Sequence, residues 1–403
     1  MKRFMFLALC LVAACGGEPP APPMVSDSAG ITIVQSFRST WAKDEAWQIA
    51  ATPSWESGNA TTDPSYRLAR VVGATRLEDS TVVVADGGTQ ELRWFDQSGR
   101  FLRSAGGRNV FASLEWIARL GSSSVIVFDF GSLRLSVYNA AGEIEQAGTL
   151  VVTFQASPSS VKGVFSDSSV LAVRDVRSWA PAMIRSGTTP DGLVRGPTAA
   201  FRYTISGGFV NTVGNYPGAQ RIFSKGQSRF VQVTAPPFGR TTVFAVKNSH
   251  FYVGTQDEYE LRVYDMSGQL TTIVRLEREN APTTEADIDR YKRARLAGVH
   301  ERQRQDREME LDGLPYPETM PAFGSIELDA AGNLWVADAR PFGDERPIWT
   351  VFDAEHRMLG TVETPRGLTI HEIGHDYILG SLVGENGVHR VQMYRLDKPA
   401  AGQ

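Results

Sequence analysis

Short apolar runs separated by polar turns follow one another along most of the chain, and their order repeats. In each repeat a polar turn leads into a run rich in Val, Ile, Leu, Phe or Tyr, many of them residue types that favour β-strands. Six such units occur, at residues 77–86, 120–129, 165–175, 246–255, 328–338 and 373–381. Apolar runs of this length bounded by turn residues predict short strands, so the pattern indicates a repeated antiparallel unit.

A second hairpin signature follows most of these units. The stretches 92–101, 135–144, 261–270 and 349–358 each contain a strand that ends in an aromatic residue, then a turn that begins with Asp or Asn. Asp and Asn bond to their own backbone and Gly tolerates positive φ, so a D-x-x-G type of sequence predicts a hairpin. Matching positions such as Val84 and Val127 are about 43 residues apart, the length of a four-stranded propeller blade.

Two intervals between units are longer than the rest. Residues 282–312 are rich in helix formers, and Thr284 followed by Asp287 is a helix-start signal, so we expect a helical insertion between the fourth and fifth units. We interpret the extra length at residues 185–235 as extended outer strands and loops of the third unit. The last unit lacks a fourth strand, and we predict that the apolar run at residues 31–37 closes it and removes two open sheet edges.

Together these repeats resemble the six-bladed β-propeller proteins of the NHL and TolB-like kind, which are common among bacterial lipoproteins. The resemblance implies an all-β, six-bladed β-propeller over residues 29–398, with the N-terminal strand closing the last blade. Repeated blades form a rigid disc with variable loops at its mouths, which suits a binding platform. We expect a monomer.

The N-terminus has the anatomy of a bacterial export signal. A basic start precedes an apolar run too short to span a membrane, and the sequence VAAC at residues 12–15 resembles a lipobox. We predict a signal peptide at residues 1–14, a lipid on Cys15 and a Pro- and Gly-rich tether at residues 15–28. A plain signal peptide cut after Ala14 is the alternative. The expected location is the cell envelope, with the chain lipid-anchored in the outer membrane or facing the periplasm.

Charge and cysteine content narrow the functional classes. The formal net charge is −4, and the helical insertion carries equal numbers of acidic and basic residues between positions 285 and 310. Nucleic-acid binding needs accumulated positive charge, so no nucleic-acid partner is predicted. Only two cysteines are present, which argues against thiol catalysis and disulfide frameworks.

Residues 371–375 read HEIGH, which matches the HExxH motif of zinc peptidases. That motif binds zinc only on a helix, yet five glycines lie between residues 367 and 387, and each costs about 1 kcal/mol in a helix interior. The additional zinc ligands of those peptidases have no counterpart here. We therefore interpret the match as chance: a strand edge and a hairpin turn, with His371 and His375 as surface polar residues. No catalytic, cofactor-binding or metal-binding residue is predicted.

Asp86, Asp129, Asp175 and Asp338 recur at the ends of equivalent strands. One interpretation is a ring of carboxylates that binds Ca²⁺ in the channel. The other is that each Asp caps its own turn, which we favour because a structural rule places the same residue in every repeat. No cofactor is therefore predicted, with calcium as the alternative.

Four loop residues are candidate ligand contacts: Arg177, Trp179, Arg340 and Phe342, which follow the inner strands of the third and fifth units. The predicted function is non-catalytic binding of a peptide, glycan or protein at the cell envelope. Two alternatives stay open. One is a metal-dependent propeller hydrolase, lactonase or lyase, and the other is an envelope scaffold that contacts proteins through its helical insertion.

Overall fold

The structure is a computed structural model that describes residues 22–42, 45–58, 63–153, 156–175, 183–187, 191–225, 231–339, 346–384 and 387–399. The N-terminal segment forms β1 (Met24–Ser28), β2 (Ile31–Ser36), β3 (Gln48–Ile49) and β4 (Trp55–Ser57). The first sheet contains β5 (Val71–Arg76), β6 (Val82–Asp86), β7 (Glu91–Phe95) and β8 (Phe101–Gly106). The second contains β9 (Leu114–Leu120), β10 (Ser124–Asp129), β11 (Arg134–Tyr138) and β12 (Ile144–Thr149).

The third sheet contains β13 (Ser160–Val164), β14 (Val170–Arg174), β15 (Gly192–Tyr203), β16 (Phe209–Lys225) and β17 (Val231–Thr234). The fourth contains β18 (Val243–Lys247), β19 (His250–Gly254), β20 (Glu260–Asp265) and β21 (Leu270–Leu276), and helices α1 (Glu285–Leu296) and α2 (Glu301–Asp312) follow it. The fifth contains β22 (Ile326–Leu328), β23 (Leu334–Ala337), β24 (Ile348–Phe352) and β25 (Met358–Glu363). The sixth contains β26 (Thr369–Ile373), β27 (Tyr377–Val383) and β28 (His389–Asp397).

These six sheets of the described residues surround a common axis. Their inner strands contact one another in the cyclic order β5, β9, β13, β18, β22, β26 and again β5. Each pair of neighbouring sheets shares one buried apolar cluster, so the core is divided among the interfaces between sheets. Radial sheets that meet along their inner strands are the architecture of a β-propeller.

The N-terminal segment completes the sixth sheet, but with other residues than those predicted. β2 pairs in parallel with β21, so it extends the fourth sheet, and the prediction that residues 31–37 complete the last sheet is wrong. The strands β3 and β4 pair with β28 instead and complete the sixth sheet. The alternating pattern of β2 fits any free outer edge, and β21 offers one that this short segment reaches.

Between β2 and β3 the chain crosses the outer edge of the fifth sheet. The backbone N–H groups of Thr40 and Trp41 donate to the carbonyl of Leu359 on β25, at 3.0 and 2.8 Å. Residues 31–42 and 45–57 form a strap along the outer edges of the fourth, fifth and sixth sheets. Residues 24–28, which were expected to belong to the tether, form the exposed edge strand β1.

The two helices lie between the fourth and fifth sheets in sequence. Thr284 caps α1, and the Thr284 and Asp287 side chains form the reciprocal bonds of a capping box, as the helix-start signal predicted. Tyr291 of α1 and Leu311 of α2 pack in a buried cluster with Phe238 and Met320. No helix in the described part of the chain is long and apolar enough to cross a membrane.

The third sheet contains the longest strands. β15 has 12 residues and β16 has 17. They lie within the interval 185–235, so the prediction of extended outer strands there is confirmed.

Candidate ligand site in the central channel

The inner strands enclose a cavity of about 730 Å³ at one end of the ring axis. This volume lies within the range of about 300–1,000 Å³ that is usual for small-molecule sites. The cavity borders the ends of the inner strands and the turns that lead to the second strand of each sheet, and all six sheets contribute to its wall.

The charged side chains of the wall are divided between two sides. The first four sheets contribute cations, one each: Arg76, Arg119, Lys162 and Lys247. The fifth and sixth contribute carboxyl groups from their inner strands, Glu327 and Glu372. In a ring of six, the second sheet faces the fifth and the third faces the sixth, so cations of the second and third sheets face carboxyl groups. Glu78 and Asp376 add carboxylates in the turns at the rim.

Glu372 joins the sixth sheet to the first inside the ring. Its carboxylate accepts hydrogen bonds from the Thr75 hydroxyl, from the Arg76 backbone N–H at 3.2 Å and from the Tyr377 hydroxyl. Burial, and after it the Glu372 carboxylate, raises the pKa of Tyr377. The Arg76 guanidinium lies 4.9 Å from the centre of the Tyr377 ring. The Glu372 carboxylate therefore makes its hydrogen bonds within the protein and links the sixth sheet to the first.

His371 borders the cavity at a β-bulge. The register of β26 shifts between Ile370 and Glu372, so His371 is the extra residue, and bulges commonly redirect a side chain near a site. Its Nε2 lies 2.8 Å from the Ser381 hydroxyl. Burial, assisted by the nearby His389, lowers the pKa of His371 to about 4, so the imidazole is neutral at neutral pH.

Lys247 is held by the backbone of the fifth sheet. Its ammonium donates to the carbonyls of Asp329 and Ala330 at 2.7 and 3.1 Å. Burial lowers the pKa of Lys247, and although Asp329 and Glu372 oppose this, Arg119 reinforces it. Arg119 therefore lies close enough to Lys247 to act on it electrostatically.

Two of the ionisable side chains that the inner strands contribute to the wall have no partner among the described residues. The Arg119 guanidinium makes no hydrogen bond or ion pair there, although it is exposed to the cavity mouth. The Glu327 carboxyl likewise makes none, and the residue is half-buried in the wall. Burial alone raises the pKa of Glu327 to about 8. A buried polar group without a partner is costly, so Glu327 is a candidate to contact a ligand.

These residues were not predicted, although the repeat contains a signal for them. Arg76, Arg119, Glu327 and Glu372 each immediately precede the Leu or Ile that begins the first turn of its unit. The charge at this one repeated position marks four of the six charged inner-strand residues that line the cavity. The residues that were predicted as sites, Cys15, Arg177, Trp179, Arg340 and Phe342, lie outside the described residues.

The recurring aspartates act on the backbone in the first two sheets. Asp86 accepts from the N–H groups of Ala69, Arg70 and Gly88 at 2.8–3.0 Å, and these bonds outweigh burial and lower the pKa of Asp86. Asp129 accepts in the same way from Ala112, Ser113 and Gly131. Both hold the chain segment that enters their own sheet, which agrees with the capping interpretation.

In the fifth sheet the equivalent Asp338 accepts from Arg278 at 2.9 Å. In the third, the backbone N–H of Asp175 donates to Ser159. The described residues contain no group of three or more His, Cys, Asp or Glu side chains that could hold a metal ion.

The HEIGH segment is a strand followed by a turn. Residues 371–373 belong to β26, residues 374–376 form the turn and β27 begins at Tyr377, so the strand interpretation is confirmed. His375 is exposed in the turn as predicted. The prediction that His371 is a surface residue is wrong, because the bulge turns it into the partly buried channel wall.

No protein-family model and no curated protein matches the chain. An exported protein of Bacteroides fragilis NCTC 9343 is similar in structure at 12% identity and a TM-score of 0.48, over 91% of this chain and 99% of its own. A member of the DUF4221 family from Bacteroides vulgatus shares 10% identity at a TM-score of 0.49, over 88% and 100% of the two chains. Virginiamycin B lyase from Staphylococcus aureus shares 10% identity at 0.42, over 87% and 99%.

Proposed function

We propose that this chain is a lipid-anchored, six-bladed β-propeller of the cell envelope that binds a small ligand in its central channel without converting it. The observation that carries the proposal is the cavity of about 730 Å³ in which two ionisable side chains of the inner strands, Arg119 and Glu327, have no partner among the described residues. A polar side chain that stabilises the fold makes its hydrogen bonds within the protein, as the Glu372 carboxylate does. Groups left without partners in a cavity of ligand size are available to a ligand.

A ligand screen followed by channel variants tests this function. The purified chain is screened by thermal shift against polar metabolites and short peptides, and compounds that shift the melting temperature are titrated by calorimetry. We expect Arg119→Gln to weaken binding by about tenfold or more, since it removes a charge-assisted hydrogen bond. Arg134→Gln, at an exposed arginine on β11 away from the cavity, is the matched control. Ligands whose affinity is the same in both variants would place binding outside the channel.

The anchor rests on the sequence VAAC at residues 12–15. Metabolic labelling with radioactive palmitate tests it. Label should enter the wild-type chain and the Cys10→Ser variant but not the Cys15→Ser variant. Label that persists in Cys15→Ser would place the lipid at another residue. A wild-type chain that takes up no label would rule out the lipid, and the chain would then be exported by a plain signal peptide.

Catalysis is a second candidate function, and one observation favours it. At neutral pH the His371 imidazole is neutral and the Glu327 carboxyl carries its proton, and both side chains border the same cavity. Such a pair could exchange protons with a bound molecule. Incubation of each screened ligand with the protein, followed by NMR of the mixture, would reveal conversion. Conversion that is lost in Glu327→Gln while binding persists would replace the binding function with an enzymatic one.

A further inference from the structure

We propose, building on the proposed function, that the channel selects a dipolar ligand. This is a small molecule with an anionic group at one end and an amine at the other, which lies across the cavity between Arg119 and Glu327.

The two residues occupy equivalent positions on opposite sides of the ring. Arg119 on β9 and Glu327 on β22 are each the penultimate residue of the inner strand, one residue before the first turn of the sheet. The cyclic contacts of the inner strands place the second sheet opposite the fifth. The fold therefore presents one cation and one carboxyl group at equivalent positions across the same cavity.

Arg119 is the arginine of the wall that is free to bind a ligand anion. Arg76 donates to the Ser80 hydroxyl at 2.8 Å and lies over the Tyr377 ring. Arg119 has no partner among the described residues. Its planar guanidinium is suited to a carboxylate or phosphate, which it can bind through two parallel hydrogen bonds.

Glu327 is the inner-strand carboxyl group that is free to bind a ligand cation. Glu372 already accepts from the Thr75 hydroxyl and from Tyr377. Among the described residues the Glu327 carboxyl has no hydrogen-bond or ion-pair partner, and burial raises its pKa to about 8. An ammonium group placed against this carboxyl would supply both the missing hydrogen bonds and the missing charge.

A ligand with a single charge satisfies only one side of the cavity. An anion bound to Arg119 leaves the half-buried Glu327 carboxyl without a partner. A cation bound to Glu327 leaves the Arg119 guanidinium without one. A dipolar ligand avoids both costs, and the two walls fix its direction in the channel.

A series of ω-amino acids tests the proposal. Glycine, γ-aminobutyrate and ε-aminocaproate differ in the separation of their charges, and each is titrated into the full chain by calorimetry. The single-charge analogue of each is titrated alongside it, for example caproate and hexylamine for ε-aminocaproate. We expect one length to bind best, and its single-charge analogues to bind at least about tenfold more weakly.

Variants assign the two ends of the ligand. Glu327→Gln should weaken the best amino acid by about tenfold or more and leave its carboxylate analogue unchanged. Arg119→Gln should weaken the same amino acid and leave its amine analogue unchanged. Arg134→Gln should change neither. A melting temperature recorded for each variant shows that it is folded.

Three results would overturn the proposal. The first is equal affinity for the amino acid and a single-charge analogue. The second is an affinity that neither channel variant changes. The third is no binding of any amino acid in the series while a singly charged or neutral compound from the ligand screen binds in the channel. In that third case the proposed binding function stands and only the dipolar ligand fails, whereas a channel that binds nothing refutes both.

Discussion

Replacing Glu327 by glutamine should stabilise the protein, and the gain should grow with pH. Glutamine has nearly the shape of glutamic acid but no ionisation. The pKa of Glu327 is raised by burial from 4.5 to about 8. Since the folded state holds this proton more tightly than the unfolded chain does, folding is penalised once the unfolded carboxyl ionises. The penalty is absent below about pH 4.5, increases as the pH rises and is complete above about pH 8.

The magnitude follows from the shift. Each pKa unit corresponds to about 1.36 kcal/mol, so the change accumulated between about pH 5 and about pH 8 cannot exceed about 4 kcal/mol. Water in the cavity reaches Glu327 in part, which screens the charge and reduces the effect. We expect the free energy of unfolding of Glu327→Gln, relative to wild type, to increase by about 2–4 kcal/mol over this interval.

Urea unfolding of both proteins at several pH values measures this difference. Ionisable neighbours on the adjacent inner strands, Lys247, His371 and Glu372, are present in both proteins, so their own contributions cancel to first order. Glu363→Gln on β25, where the glutamate is exposed, is the matched control and should show no such trend. A stability difference that does not vary with pH would mean that the folded protein does not hold this proton, and the reasoning about Glu327 would be refuted.

Two further changes test the fold. Trp47→Ala removes a strap side chain that contacts Trp335 at 5.8 Å between ring centres and lies under the Lys398 ammonium at 4.2 Å. We expect the free energy of unfolding in urea to fall by about 2–4 kcal/mol, and by less for Trp47→Phe. An unchanged urea midpoint would show that the strap does not stabilise the ring. Asp129→Ala leaves three backbone N–H groups and the Ser132 hydroxyl without their acceptor. The melting temperature should therefore fall by several degrees, which corresponds to a loss of about 2–4 kcal/mol in the free energy of unfolding. Asp338→Asn, at a carboxylate whose partner is a partly exposed arginine, should lower the free energy of unfolding by less than about 1 kcal/mol.

The repeated hairpins could be predicted because their chemistry is local. In the D-x-x-G turns the Gly positions adopt positive φ, 82° at Gly99 and 91° at Gly268. The same position in the fifth sheet is occupied by His356, which also adopts a positive φ of 66°. The turn is therefore set by the aspartate at its start and survives without glycine. A capping box at Thr284 is equally local, and it too was readable from the sequence.

The closure of the ring could not be predicted in the same way. A free outer strand offers the same row of N–H and C=O groups in every sheet, so the alternating pattern of β2 identifies a strand but not its partner. The strap also depends on contacts between residues far apart in sequence, such as Trp41 with Leu359. The channel residues were hidden for a related reason. Arg119 and Glu327 can be recognised as facing each other across the channel only once the order of the sheets around the axis is known.

Glu327→Gln should raise the stability of the protein and weaken ligand binding. A side chain with a purely structural role would not show these two opposite effects. The ring is closed inside by Glu372 and outside by the strap, so neither Arg119 nor Glu327 is required for closure. A carboxyl that the fold does not use, and that burial penalises, is retained at a cost, as is common for residues that serve a site. If Glu327→Gln raises stability and weakens the dipolar probe in the same preparation, the penalty belongs to ligand binding. If it raises stability and leaves every ligand unaffected, the carboxyl is only a defect of the core.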